Sequence, residues 1–268
     1  MKRFLLIFLC ALLFFSTAFA DLEVHFLDVG QGDAAIILCD DMSMIIDGGR
    51  SSYSQFLYSY ITNTLKLTHM DYMIATHPDA DHIGGLAAAL NAVPVDLLLT
   101  PVTSHDSKGF ENMMKYAEKQ GTAVLVPEEG DYLVLGGARI EILHCYPEAT
   151  YTNDKSIVVR IDYGETSFLF TGDAERTSEF MMVDAGVDLK ADVLKVGHHG
   201  SATSTEREFL EKVQPKYAVI SCGKDNKYGH PRPEVLKRLS DVGAEIYRTD
   251  ELGTIVCYSD GKNLRFEN

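Results

Sequence analysis

The sequence contains no low-complexity tract, no proline-rich linker and no tandem repeat. These absences leave no seam at which to divide the chain, and they argue for one folded unit. Basic residues are scarce too: 24 Lys and Arg stand against 39 Asp and Glu, a net charge of −15. So acidic a surface repels nucleic acid and anionic membrane in general. A polyanionic substrate therefore needs a local positive site, such as bound metal. No nucleic-acid-binding motif offsets the charge. Cysteine is sparse, and no two of the five stand at C-x-x-C spacing, which removes the usual thiolate metal pair.

One apolar run exceeds the length of a strand, residues 5–15. Lys2 and Arg3 precede it, and Ala18 and Ala20 supply small residues before Asp21. That pattern predicts a secretory signal peptide, residues 1–20, and a mature chain, residues 21–268. The run is shorter than the roughly 20 residues a bilayer span needs. Phe8-Leu9 is too bulky to make Cys10 a lipid attachment site. Lys2 and Arg3 are the only charges in the leader, so the mature charge falls from −15 to −17. The expected location is secreted, or retained at the cell envelope, with no stable membrane span after cleavage. Export permits two disulfides among Cys39, Cys145, Cys222 and Cys257. Buried free thiols are an equal alternative.

What is present points to an α/β chain. Hydrophobic content of 46% excludes disorder, and the mature length suffices for one large core. Three strands are expected at 22–28, 34–39 and 43–47, then a helix at 53–67 and a strand at 72–75. A helix at 85–92, a strand at 95–100 and a helix at 109–120 follow, the last stopped by Gly121. Short strands fall at 124–126, 132–135 and 140–144, and a hairpin at 156–163 and 167–171. The remainder alternates helix (174–185, 205–213, 233–242) and strand (192–196, 217–221, 245–247, 254–258). Meander then strand–helix units, in both halves, predict two mixed sheets packed together with helices outside.

Polar clusters recur just past strands, where open α/β sheets bind ligands. The densest is "THPDADHIGG", residues 76–85. His77 and Asp79 are two apart, as are Asp79 and Asp81, so each pair faces one side of an extended loop. Asp81 and His82 then diverge, as two ions would require. A solvated turn has no need of two histidines flanking two aspartates, and this cluster reads as metal-binding. Asp173 in "FLFTGD" would alone be a helix cap. His198 and His199 end the strand of "DVLKVGHHGSATS", and as neighbours they cannot both face one ion. His230 follows a strand in "NKYGHP". Asp28, Asp33 and Asp47 sit at strand ends beside glycines, where singly they suit turns. Together these clusters form the ligand set of a two-metal hydrolytic centre.

The wider set resembles the metallo-β-lactamase superfamily. Its residues are "FLDVGQGDA", "IIDGG", "THPDADHIGG", "NDKSIVVRIDYG", "FLFTGD", "DVLKVGHHGSATS", "NKYGHP" and "RTDELGTI". In this order they are similar to the C-terminal extracellular hydrolase domain of the ComEC competence family, over about residues 22–255. That domain lies behind a membrane channel, and no channel helices accompany it here, so a role in DNA transport is not carried over. The resemblance implies a four-layer αββα sandwich with metals in a cleft at one sheet edge. It implies metal ligands at His77, Asp79, Asp81, His82 and Asp173, with Asp173 bridging and His230 completing the second site. His198 or His199 would contact substrate or give a proton to the leaving group. The reverse, one of that pair as ligand and His230 behind it, stays open. Asp81 counts among the catalytic residues, and Asp47, Asn153, Asp154, Ser201 and Lys224 among those binding substrate or supporting the ligands.

One departure from the family pattern matters. Asn153 or Asp154 stands where another metal-binding histidine is expected. The first site is then poor in nitrogen, which favours Mn²⁺ or Mg²⁺ over Zn²⁺ there. Two divalent ions would supply the hydroxide that attacks a phosphodiester, DNA included, despite the acidic surface. Lys195, Lys224 and Lys227 lie near the clusters and are placed to hold phosphates. The expected activity is a secreted, metal-dependent phosphodiesterase or nuclease. Its rivals are an esterase of cell-envelope phosphodiesters of the phosphocholine type and a non-catalytic envelope or DNA-binding module. No protein partner is deducible.

Overall fold

The computed structural model describes residues 22–268. The expected leader at 1–20 lies outside the described residues. Two mixed sheets face each other, with helices on both outer sides. The first sheet has eight strands in the order β15-β14-β1-β2-β3-β4-β5-β6. These are β1 Leu22–Phe26, β2 Ala34–Cys39, β3 Met42–Gly48, β4 Met70–Ile74, β5 Val95–Leu99, β6 Ala123–Leu125, β14 Ile255–Ser259 and β15 Leu264–Glu267. The second has seven in the order β13-β12-β11-β10-β9-β8-β7. They are β7 Tyr132–Leu135, β8 Ala138–His144, β9 Val158–Tyr163, β10 Thr166–Phe170, β11 Val193–Lys195, β12 Tyr217–Ile220 and β13 Glu245–Arg248.

Alternation along β2 and β3 explains the layering. Ala35, Ile37, Met44 and Ile46 point between the sheets, against Ile140, Ile161 and Phe168 of the second sheet. Ala34, Ile36 and Ile45 point outward, beneath Leu57, Leu86 and Phe110 of the helices. Strands covered on both faces read as continuous apolar runs rather than alternating ones. The second sheet has its own outer layer, where Leu169, Leu194 and Ala218 meet Met182, Phe209 and Leu239. The chain is therefore the expected αββα sandwich.

Helix α4, Lys108–Gln120, starts where the Ser107 hydroxyl accepts the Phe110 N–H at 3.3 Å. It stops at Gly121, whose φ of 78° only glycine adopts freely. The helix expected at 53–67 is instead broken. A 3-10 turn (Ser51–Tyr53) leads into α1 (Ser54–Ser59) and then a π-helical turn (Tyr60–Thr64). In that wider turn the Tyr60 hydroxyl sits 3.0 Å from His25 Nδ1.

Strands β3 to β6 run parallel, as do β10 to β13. Their carboxyl ends bring the loops after β3, β4, β10 and β11 to one edge of the sandwich. Short α2, Ala80–Ile83, turns out of the β4 loop, and α5, Arg176–Asp184, out of the β10 loop. All four described cysteines are buried free thiols. Among the described residues no helix is long and apolar enough to cross a membrane.

Candidate metal centre

The β4 loop lies close to the β3 loop because glycine permits it. A Cβ on Gly85 would collide with the Gly48 carbonyl, and one on Gly84 would lie 2.6 Å from Ser51 N. With that space free, Gly85 N–H donates to the Gly49 carbonyl at 2.9 Å. Asp47, at the end of β3, has a left-handed backbone with φ of 58°, which Asp tolerates better than most residues. Its carboxylate is buried and fully used. Oδ1 accepts the Thr76 N–H (2.9 Å), and Oδ2 accepts the Thr76 hydroxyl (2.7 Å) and lies 2.7 Å from His82 Nδ1. This leaves His82 Nε2 aimed into the cluster.

Asp173, in the loop three residues past β10, is the hub. His82 Nε2 is 3.1 Å from its Oδ1. The Nε2 atoms of His198 and His199 are each 3.7 Å from its Oδ2, and that of His77 is 3.9 Å away. Asp79 stands 3.8 Å from His77 Nε2, and Asp81 3.9 Å from His199 Nε2. Behind the ring, His77 Nδ1 meets the hydroxyls of Thr76 and Ser156, at 3.1 and 3.4 Å. His199 Nδ1 lies 3.0 Å from the Ser221 carbonyl and 3.1 Å from Asp33. Asp33 is itself tied to the buried Lys195 ammonium at 2.6 Å.

Electrostatics follow from one carboxylate among several imidazoles in a dry space. Burial pulls His82 and His199 down, but Asp173, with Asp47 or Asp33, outweighs it and holds both above the ordinary histidine range. Burial, with neighbouring His82, pushes His77 well below that range. Burial also opposes ionisation of Asp173, yet His82 and His199 keep it well below the usual carboxylate range.

Nε2 of His77, His82 and His199 and Oδ1 of Asp173 are all buried and make no hydrogen bond, the 3.1 Å approach of His82 to Asp173 being an ion-pair contact only. Burying such groups unpaired is costly, and a cation would satisfy them together. Asp33, His82, Asp173 and His199 each offer a ligand atom, and these atoms lie within 4.8 Å of one another. Imidazole nitrogens with carboxylate oxygens suit a divalent first-row metal, so the residues present fit the implied ions.

Other residues singled out in the sequence lie further out. His230 is 5.7 Å from His198, ring to ring, and its Nδ1 is buried without a partner. Burial and nearby His198 lower it to about 4. Asn153 donates to Glu175 Oε1 (3.1 Å), which also receives the Thr203 hydroxyl (2.9 Å) and sits 3.1 Å from His198 Nδ1. Asp154 faces α5 rather than the cluster, accepting the Ser178 hydroxyl at 3.0 Å and the Glu175 N–H at 3.3 Å. Ser201 bonds to Thr203 at 3.0 Å. Lys224 and Lys227 line a neighbouring cavity. Lys195 is too deep to hold a phosphate, because Asp33 occupies it. Sequence reasoning missed Asp33, Lys195 and Glu175 as supports. A lysine inside the apolar strand "DVLKV" was the available signal, since buried lysine demands a partner.

A profile of the metallo-β-lactamase superfamily matches residues 27–224. The chain belongs to the metallo-β-lactamase superfamily. Among curated proteins it is 34% identical over 252 residues to ComE operon protein 3 of Bacillus subtilis, covering 87% of this chain and 32% of that one. It is 32% identical to recombination protein 2 of Haemophilus influenzae, covering 87% and 28%. With competence protein ComA of Neisseria gonorrhoeae the identity is 29%, covering 85% and 31%. The chain thus spans less than a third of the length of these relatives. Among solved structures it matches the metallo-β-lactamase fold protein YhfI of Bacillus subtilis with a TM-score of 0.62 at 16% identity, covering 90% of this chain and all of that one. CmlA, a diiron β-hydroxylase of Streptomyces venezuelae, matches at 0.57 and 15%, covering 94% and 55%. Those two likenesses bear on the fold.

Proposed function

We propose that the chain is a metal-dependent phosphodiesterase that acts on nucleic acid, exported by the leader expected at residues 1–20. The observation that carries this reading is the set of buried, unpartnered donors around Asp173. His77, Asp79 and Asp173 would hold one ion, and Asp81, His82, His199 and Asp173 the second. Bound there, the ions would supply hydroxide at neutral pH and offset the charge of a phosphodiester transition state. Asp47 and Asp33 turn the His82 and His199 rings so that Nε2 points inward. His198 is partly open to solvent, with a side chain 23% exposed, and Glu175 holds its Nδ1. In this reading its Nε2 gives a proton to the departing oxygen. The three carboxylates among the donors favour Mn²⁺ or Mg²⁺ over Zn²⁺. Competence and recombination appear in the names of relatives, and this supports nucleic acid as substrate.

The test is hydrolysis of bis-p-nitrophenyl phosphate and of DNA with Mn²⁺, Mg²⁺ or Zn²⁺, alongside the His82→Ala and Asp173→Asn variants. Turnover by the parent protein alone is expected. No turnover, or equal turnover by the variants, overturns the enzyme. Two zinc ions retained per chain after purification without added metal would overturn the preference for a harder ion.

A further inference from the structure

Beside the cluster lies a cavity of about 480 Å³, within the range of small-ligand sites. Arg50 joins the two. Its Nη2 donates to Asp81 at 3.1 Å, its Nε donates to the Gln31 carbonyl at 2.9 Å, and it also lines the cavity. Lys224 and Lys227 line it as well, with Tyr53 and Tyr228. In a chain of net charge −15 this is a local gathering of cations. The two acids in the wall are already engaged. Asp250 accepts from Arg248 Nε and Nη2, at 3.1 and 2.7 Å, and Asp28 accepts the Gly30 N–H at 3.0 Å. Among the described residues neither Lys224 nor Lys227 has a carboxylate within 4.0 Å.

The cavity is also built, not incidental. A Cβ on Gly30 would sit 2.6 Å from the Tyr53 hydroxyl, and one on Gly223 would sit 2.8 Å from Gln31 N. Glycine at both places lets the walls close on Tyr53 and Gln31. Asn226 fixes the far wall: its Oδ1 accepts the N–H groups of Tyr228 (3.2 Å) and His230 (3.0 Å), and its Nδ2 donates to the Gly223 carbonyl (2.8 Å). Tyr228, 43% exposed as a residue, stacks its ring on His230 with centroids 5.7 Å apart and has the Lys227 ammonium 5.0 Å from its own centroid, and His230 stands edge-on to His198. A path of rings therefore runs from the cavity to the cluster.

We infer that this cavity is the subsite for the nucleotide next to the phosphodiester being cut. Arg50, Lys224 and Lys227 hold its phosphate, and Tyr228 stacks its base. Cations interleaved with an exposed aromatic face are the recognition chemistry of a single strand, whose bases are free to stack. A duplex buries those faces. The inference rests on the phosphodiesterase reading and names where its substrate lies.

Binding tests it independently of turnover. The full mature chain is titrated against a fluorescein-labelled ten-residue oligothymidylate in EDTA, with fluorescence anisotropy as readout. Tyr228→Leu weakens binding about tenfold, while Tyr228→Phe stays within about twofold because the ring remains. Lys224→Ala combined with Lys227→Ala lowers the slope of log K against log salt by about 1.4, two phosphates' worth for a single strand. Lys119→Ala, on α4 of the first sheet's outer layer, controls for net charge and changes neither. No binding by the parent chain, equal binding by every variant, or tighter binding of a duplex overturns the subsite. Hydrolysis of bis-p-nitrophenyl phosphate by the parent chain separates the two readings, since so small a diester needs the metal cluster alone. Oligonucleotide binding without that hydrolysis supports the subsite and sinks the enzyme. Hydrolysis without binding does the reverse.

Discussion

The two halves of the cluster are backed differently. On one side, His82 and His199 each turn Nδ1 towards a buried carboxylate, Asp47 or Asp33. On the other, His77 turns Nδ1 towards two hydroxyls, and its acidic neighbour Asp79 keeps 40% of its side chain exposed. A carboxylate behind an imidazole fixes its tautomer and raises its basicity, whereas a hydroxyl does so weakly. The contrast teaches that this centre has one stiff, strongly donating half and one soft half. Unequal affinity for two ions is the expected result.

Removing what the halves share has the largest effect. Asp173→Asn should cost both ions, measured by elemental analysis after gel filtration, and lower hydrolysis by at least about 100-fold. Retention of one ion would show that the halves are independent. Next comes the backing itself. Asp47→Asn or Asp33→Asn should weaken metal binding about 10- to 100-fold, and Ser156→Ala on the soft side should do less. Equal losses in a competition titration would erase the contrast. Asp79→Asn should reduce the metal content from two ions to one and leave the tighter one in place.

The smallest effect concerns the turn after His199. Glu179 on α5 accepts the Thr205 N–H (2.5 Å) and the Glu206 N–H (2.9 Å), pinning that turn. Burial raises its carboxyl to about 7, against the pull of those N–H groups. A raised folded-state pKa means that the protonated form is the better-stabilised one. Its contribution is complete below the ordinary value of about 4.5 and is lost as pH rises through about 7. The Tm of metal-free protein should therefore fall across that window more steeply than that of Glu179→Gln, by on the order of 1–3 kcal/mol in stability. Parallel profiles would remove Glu179 from the support of the stiff half.

Much of this was legible because periodicity and motif agreed. The apolar runs at 34–39 and 192–196 marked strands buried on both faces, and the clusters behind them marked the edge where ligands gather. Less visible were features that depend on distant partners. Asp33 looked like a turn former, because nothing local reveals that β11 brings Lys195 and His199 to it. Asp154 was expected to bind substrate or support the ligands by its place in the order of motifs, and its carboxylate is taken by α5 and the turn before it. The last strand, β15, alternates exposed with half-buried residues and pairs with β14 along only four positions, so its sequence carries little signal. The cavity beside Arg50 escaped notice because its walls come from the loops after β1, β3 and β12 and the turn after β13.

The hub itself has a consequence for assembly. His77 and His82 come from the first sheet's loops, Asp173 and His199 from the second's, and nearly a hundred residues separate His77 from Asp173. Neither half of the chain contains a centre on its own. An ion held there would act as a clasp between the sheets, closing a long loop much as a crosslink does. Uptake of metal would then report that the two halves have docked, and chelation would loosen the sandwich at that edge before it touched either core.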